Sequence, residues 1–196
     1  MATDPQRPGE PARTVNGIEE GTLASQALAG DRAAFGELVN RYSDQARRVA
    51  RAVLQDPDDA DDAAQDAFLS ALAKLGQYDT SRPFGPWLMR IVANAATDRR
   101  RRRQVRKAEL LNEGLVAGGR RPDAVAETEA LSEQLRQALA ELPERRRMTV
   151  VLFDVEGYSH AEIGEILGMP EGTVRSEVFH ARRKLRTLLT DWRDEG

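Results

Sequence analysis

The chain of 196 residues contains no cysteine and carries a formal net charge of −3. The lack of cysteine excludes disulfides, thiolate zinc sites and cysteine nucleophiles. The sequence has no stretch of about 18 apolar residues that could span a bilayer, and no apolar segment typical of a secretory signal. We therefore expect a cytoplasmic protein that does not insert into a membrane.

Charge is unevenly distributed along the chain. Six aspartates lie within residues 55–66, whereas arginine and lysine are concentrated in residues 99–107 and 175–186. This segregation indicates two kinds of partner, one of them basic and the other a polyanion.

The first half of the chain is predicted to be helical after a short tail. Residues 1–20 are rich in proline, glycine and charge, which predicts disorder. Asp31 is placed to cap a first helix, and a second helix follows through Leu54. Asp56, followed by proline, starts a third helix that ends near Leu75, because aspartate caps a helix and proline is tolerated in its first turn.

A loop and a linker divide the rest of the chain. Turn-forming residues predict a loop over Gly76–Pro86, and helical spacing resumes over Trp87–Arg103. Periodicity is lost over residues 104–126, which indicates a flexible linker. The first domain is thus expected to span residues 21–103.

The second half, residues 127–192, has the pattern of a helix-turn-helix domain. Pro143 separates two helices. A capping box at Ser159–Glu162 then opens a short helix, the turn GMPEG follows, and a longer helix runs over Thr173–Leu189. The predicted fold class is all-α: two small helical domains joined by a flexible linker, the second containing the helix-turn-helix.

The last helix has a face suited to duplex DNA. Its core side carries Val174 and Val178. An outward phenylalanine among arginines is explained if a partner covers it, and the major groove accepts this mixture of residues. The alternative is a solvated helix surface. The candidate residues for duplex DNA are Arg175, Ser176, Phe179, His180, Arg182 and Arg183.

The helix after the loop has a stripe suited to single-stranded DNA. Trp87, Arg90, Asn94, Thr97 and Arg101 follow one another at spacings of three and four residues. Unpaired bases stack on aromatic rings and bond to amides, while cations neutralise the backbone. The alternative is a partly buried tryptophan beside a basic helix end.

The aspartate-rich helix has a face that would repel DNA and attract a basic protein. A calcium loop is discounted, because Ala60 and Ala67 occupy positions where ligands are needed. No metal or other cofactor is expected. The candidate residues for a protein partner are Asp58, Asp62, Gln65, Asp66 and Leu69.

Long segments of the chain resemble the extracytoplasmic-function sigma factors of the sigma-70 family. The segments AGDRAAFGELVNRY, DPDDADDAAQDAFLSAL and FGPWLMRIVANAATDRRRR resemble the family's first conserved domain, and LPERRRMTVVLFDVEGYSHAEIGEILGMPEGTVRS resembles its second. The resemblance implies a non-enzymatic subunit that binds core RNA polymerase, through the β′ clamp helices and the β subunit, and directs it to promoter DNA. It also implies an anti-sigma factor as a partner, and no homo-oligomer.

The resemblance assigns a role to each surface. The acidic helix would dock on polymerase, and the last helix would read the minus-thirty-five element as duplex. The loop and stripe would capture the melted minus-ten element through Tyr78, Phe84, Trp87, Arg90, Asn94, Thr97, Asp98 and Arg101.

The chain departs from the family at three places. Many relatives carry arginine at the position of Glu177 and a basic residue at that of His180, and Arg82-Pro83 stands where relatives often have a glycine. The upstream element is therefore expected to be unusual or weakly held.

Three other functions compete with this interpretation. A stand-alone helix-turn-helix regulator would bind duplex DNA without polymerase, usually as a dimer. A polymerase-binding inhibitor would also use an acidic face. An enzyme is disfavoured, because the chain has no phosphate-binding glycine loop and only two histidines, His160 and His180.

Overall fold

The computed structural model describes residues 13–112 and 127–194, and this part of the chain is helical without a strand. The all-α prediction is confirmed. The α-helices are α1 (Arg13–Leu28), α2 (Arg32–Leu54), α3 (Pro57–Lys74), α4 (Phe84–Asn112), α5 (Glu127–Ala140), α6 (Glu144–Val150), α7 (His160–Leu167) and α8 (Glu171–Asp194). A short 3₁₀ turn (Leu75–Gln77) follows α3, and a π-helical turn (Val151–Val155) follows α6.

Both predicted aspartate caps are present. The Asp31 carboxylate accepts hydrogen bonds from the backbone N–H groups of Ala33 and Ala34, at 2.9 and 3.3 Å. The Asp56 carboxylate accepts one from the N–H of Asp59 at 3.1 Å, with Pro57 in the first turn of α3. These bonds satisfy N–H groups that have no partner within the helix.

Two predictions near the N-terminus are wrong. Helix α1 begins at Arg13, inside the predicted disordered tail, and α2 is one helix of 23 residues rather than two. Tertiary contacts account for the first error, because Ala24 is fully buried and the Tyr42 hydroxyl donates a 2.8 Å hydrogen bond to Glu20 Oε1. Residues 1–12 lie outside the described part.

Helix α4 is longer at both ends than predicted. It begins at Phe84, so the last three residues of the predicted loop form its first turn, where proline is tolerated. It ends at Asn112, nine residues beyond the predicted boundary at Arg103. Of the predicted linker, residues 113–126 lie outside the described part.

The helix-turn-helix consists of α7 and α8. The predicted capping box is present, with the Ser159 hydroxyl oxygen accepting from Glu162 N and the Glu162 carboxylate accepting from Ser159 N. Gly168 ends α7 with φ 63°, a left-handed conformation that favours glycine. A Cβ at Gly164 would lie 2.7 Å from the carbonyl oxygen of Met169, so the turn needs a glycine there as well.

The two halves of the chain share one hydrophobic core. Buried residues of α2 and α4, such as Val53 and Leu88, belong to the same cluster as Leu152, Ile163 and Val174 of the second half. Helix α4 packs against α7, and α2 packs against α6. The helix-turn-helix thus lies directly on the first half.

A buried arginine joins the halves. Arg147 of α6 has 4% of its surface exposed, and its guanidinium donates to the carbonyl oxygen of Ala52 near the end of α2. It also donates to the Leu139, Ala140 and Leu142 carbonyl oxygens at 3.1–3.2 Å. Burial, together with the nearby charge of Arg100, lowers the pKa of Arg147 to about 10.

Candidate nucleic-acid and polymerase interfaces

The predicted protein-binding face of α3 is exposed. Its opposite face is core, because Ala60, Ala64, Ala67 and Ala71 are buried. Leu69 is 67% exposed although it is a large apolar residue, which suits an anchor for a partner. The other exposed candidates on this face are Asp58, Asp62, Gln65 and Asp66.

Two arginines of α4 partly neutralise this acidic face. Arg99 donates to Asp59 at 3.0 Å and to Asp62 at 2.6 Å, and it lies 3.8 Å from Asp66. Arg103 pairs with Asp56 and Asp59, at 3.4 and 2.5 Å. The charge segregation in the sequence therefore reflects internal pairing in part. Sequence reasoning missed this, because the pairs join residues about 40 positions apart.

The eight residues predicted to contact the minus-ten element are split between surface and core. Five of them, Arg90, Asn94, Thr97, Asp98 and Arg101, are exposed, and Trp87 is half-buried.

Tyr78 and Phe84 are buried, and they support the stripe rather than line it. Phe84 is 1% exposed and lies in the core. Its ring centroid is 5.2 Å from that of Tyr78 and 5.4 Å from that of Trp87. The Tyr78 hydroxyl donates to the Arg82 carbonyl oxygen, and burial raises the pKa of Tyr78 to about 12. Both rings are thus buried in this conformation, and their contact with the minus-ten element stays a prediction.

The second half of the chain borders the minus-ten stripe. A groove of about 430 Å³ is lined by Asn94 and Thr97 on one side and by Met148, Ile166 and Met169 on the other. A salt bridge joins Arg82 to Glu165 of α7 at 2.6 Å, and a second joins Arg100 to Glu144 of α6. Acidic groups of the second half thus face basic groups of the first.

The predicted DNA-reading face of α8 is a continuous exposed surface. Val174, Val178 and Ala181 are buried, which confirms the predicted core side. Phe179 is 63% exposed, with its ring edge-to-face against His180 at 5.5 Å. The exposed members of the predicted set are Arg175, Ser176, Phe179, His180 and Arg183.

Arg182 is held at the flank of this face by contacts within the protein. Its guanidinium donates to the Asp154 carboxylate at 3.0 Å and lies 5.0 Å above the ring of Phe153. The hydrogen bond to Asp154 raises the pKa of Arg182. Arg182 is therefore less available to DNA than Arg183.

Glu177, which departs from the family pattern, has a basic partner. Arg146 Nε of α6 donates to Glu177 Oε2 at 2.8 Å. This contact supplies the shielding that a carboxylate needs close to phosphate. Arg146 was not among the residues selected from the sequence.

Residues 13–112 and 127–194 contain no group of three or more histidine, aspartate and glutamate side chains that could hold a metal ion. No helix within those ranges has the length and hydropathy needed to cross a membrane.

Family models match both halves of the chain. The model for Sigma-70 region 2 matches residues 38–106, and the model for Sigma-70 region 4 matches residues 132–185. The first match contains the acidic helix and the stripe, and the second contains the helix-turn-helix. This pairing favours a sigma factor over a stand-alone helix-turn-helix regulator.

Named relatives agree with the family models. The chain is 38% identical over 167 residues to the ECF RNA polymerase sigma factor SigM of Mycobacterium tuberculosis, covering 85% of this chain and 83% of that protein. It is 34% identical over 176 residues to the ECF RNA polymerase sigma factor SigW of Bacillus subtilis, covering 85% and 94%. The solved structure of CnrH in complex with the cytosolic domain of CnrY matches with a TM-score of 0.66 at 30% identity, covering 88% of this chain and 98% of CnrH. The chain therefore belongs to the extracytoplasmic-function group of sigma-70 family RNA polymerase sigma factors.

Proposed function

We propose that three surfaces of this sigma factor divide the work of promoter recognition. The acidic face of α3 binds the polymerase clamp, the α4 stripe captures the melted minus-ten strand, and α8 reads the minus-thirty-five duplex. The observation that supports this division best is the difference in chemistry between the exposed faces. The face of α3 carries acids around Leu69, whereas the face of α8 carries cations around Phe179. The protein itself needs no catalytic group, because RNA synthesis takes place in the polymerase.

The polymerase contact uses both charge and apolar area. Asp62 and Asp66 are exposed on one side of α3, with Leu69 on the next turn. A basic partner can compete for these carboxylates with Arg99, whose 3.8 Å contact to Asp66 is long for a salt bridge. Leu69 adds apolar area that water leaves on binding.

The minus-ten contact compensates for the separation of base pairs. Unstacking costs about 1.4 kcal/mol per step, so the sigma factor must stabilise the released bases. Trp87 offers an aromatic surface supported by Phe84, and Asn94 offers an amide about two turns away. Arg90 and Arg101 are placed to neutralise the backbone.

The second half of the chain restricts access to part of the stripe. Asn94 and Thr97 line a groove that α6 and α7 close on one side, and a single strand in that groove would meet Glu144. CnrH was solved in complex with the cytosolic domain of CnrY. We propose that an anti-sigma factor likewise holds this chain, which keeps the halves together until polymerase is bound.

Charge reversal on α3 tests the division of work. The variant with Asp62→Lys and Asp66→Lys is expected to lose affinity for core polymerase about tenfold or more. Asp44→Lys, on exposed α2 surface, is the matched control and should bind normally. Competition against labelled wild-type protein for core polymerase gives the affinities. Equal binding by the double variant and the control would contradict the proposal.

A further inference from the structure

The interior of the recognition helix carries a single acid among its cations. Between Gly172 and Thr190 the sequence has five arginines and lysines and one carboxylate, that of Glu177. The helix wheel places Glu177 about 100° around from Ser176, at the edge of the exposed face. It belongs to the N-terminal half of α8, the part of a recognition helix that contacts base edges.

Arg146 holds this carboxylate in a fixed position. Its Nε donates to Glu177 Oε2 at 2.8 Å, and the side chains of Arg146 and Glu177 are 38% and 21% exposed. Among the described residues, Arg146 is the one side chain that forms a hydrogen bond and an ion pair with Glu177. The second oxygen, Oε1, is left to accept from a ligand. A partly exposed ion pair contributes little to stability, so folding alone is a weak reason for it.

We infer that Glu177 reads a cytosine in the upstream duplex and that Arg146 is its positioning residue. A carboxylate only accepts hydrogen bonds. In the major groove the donors are cytosine N4 and adenine N6, whereas guanine and thymine present acceptors at the equivalent positions. Adenine also presents the acceptor N7 beside its donor, which repels a carboxylate. Cytosine is therefore the base that fits Glu177.

Arg146 makes this contact compatible with the phosphate backbone. An unpaired carboxylate at the rim of the groove would be repelled by phosphate. The guanidinium neutralises that charge, and its terminal nitrogens remain to contact phosphate while Nε holds Glu177. The Arg146–Glu177 pair thus presents a hydrogen-bond acceptor on the recognition helix, and the cation that balances its charge lies behind it on α6.

The inference rests on the proposed function, and a promoter selection separates the two. Core polymerase with the full chain transcribes a library of templates in which the upstream element is randomised, and the transcribed templates are sequenced. With wild-type protein we expect one position to favour cytosine over the other bases by about fivefold or more. Glu177→Gln should shift that position towards adenine, because glutamine bonds to adenine N6 and N7 together.

Variants at Arg146 test the positioning role. Arg146→Gln should weaken the cytosine preference at the same position, and Arg146→Lys should restore part of it. Glu141 is an exposed carboxylate outside α8. Glu141→Gln makes the same change of charge as Glu177→Gln and should leave the base preference at every promoter position unchanged.

Each outcome has one meaning. If no template is transcribed, the proposed function fails. If the wild-type protein selects an upstream element and Glu177→Gln leaves its base preferences unchanged, the proposed function stands and this inference is overturned. A uniform loss of activity without a change of base at any position also overturns it, because it would show that the pair acts only through charge.

Discussion

The carboxylate of Glu156, after the π-helical turn, accepts a 2.6 Å hydrogen bond from Nε of Arg48 on α2. A second bond of 3.0 Å from Arg48 Nη2 makes the pair bidentate, and only 3% of the glutamate side chain is exposed. Gln45 also donates to this carboxylate at 3.0 Å. The residue thus links the helix-turn-helix half to the first half.

Glu156→Gln is expected to lower the free energy of unfolding by about 1–3 kcal/mol, because hydrogen bonds to a charged group are lost at a buried site. Urea denaturation measures the change. Glu165→Gln is the control, since its pair with Arg82 also joins the halves but is more than half exposed on both sides. The Glu165→Gln control should lower the free energy of unfolding by less than about 1 kcal/mol. Equal costs would show that burial does not determine the strength of the link.

Arg147→Met should destabilise the protein by about 2–4 kcal/mol, because the carbonyl oxygens at the ends of α2 and α5 lose their donor. Thermal and urea denaturation measure this loss. Arg145→Met, on the neighbouring exposed position, is expected to stay within about 0.5 kcal/mol of wild type. A variant at Arg147 as stable as the one at Arg145 would refute the bridging role.

The charge on the Asp56 cap should make a pH-dependent contribution to stability. The Asp59 N–H bond and the charge of Arg103 lower the pKa of Asp56 below its usual 3.8. A lowered pKa stabilises the fold above about pH 3.8, and this contribution is lost as the pH falls through the folded-state value. Asp56→Asn keeps a capping oxygen without charge. The difference in unfolding free energy between wild type and Asp56→Asn should therefore shrink from pH 6 to pH 2.5, and a constant difference would contradict the assignment.

Asn94→Ala is expected to slow formation of the open complex about tenfold while initial binding to duplex promoter changes little, because the amide contacts bases only after melting. Permanganate reactivity of unpaired thymines follows melting, and filter binding at low temperature follows initial binding. Asn40→Ala on exposed α2 surface is the control. Loss of initial binding without a melting defect would remove Asn94 from the minus-ten surface.

Local signals in the sequence predicted the parts of the fold that depend on local chemistry. The caps at Asp31 and Asp56 and the capping box at Ser159 depend on residues within three positions of each other, and all are present. The buried side of α8 follows from the helical period alone.

Contacts between distant residues could not be predicted in the same way. Helix α1 depends on the Tyr42 contact to Glu20, and the Arg99 cluster joins α4 to α3. The joining of the halves depends on Arg147 and Glu156, which meet α2 about 100 residues away.

Transcription by core polymerase with the purified chain tests the account most directly. The chain is added to core polymerase on fragments of its own genome, and the 5′ ends of the transcripts are mapped. We predict starts at a small set of promoters that share an upstream and a minus-ten element, with none in the absence of the chain. Transcript ends that are the same with and without the chain would contradict the account.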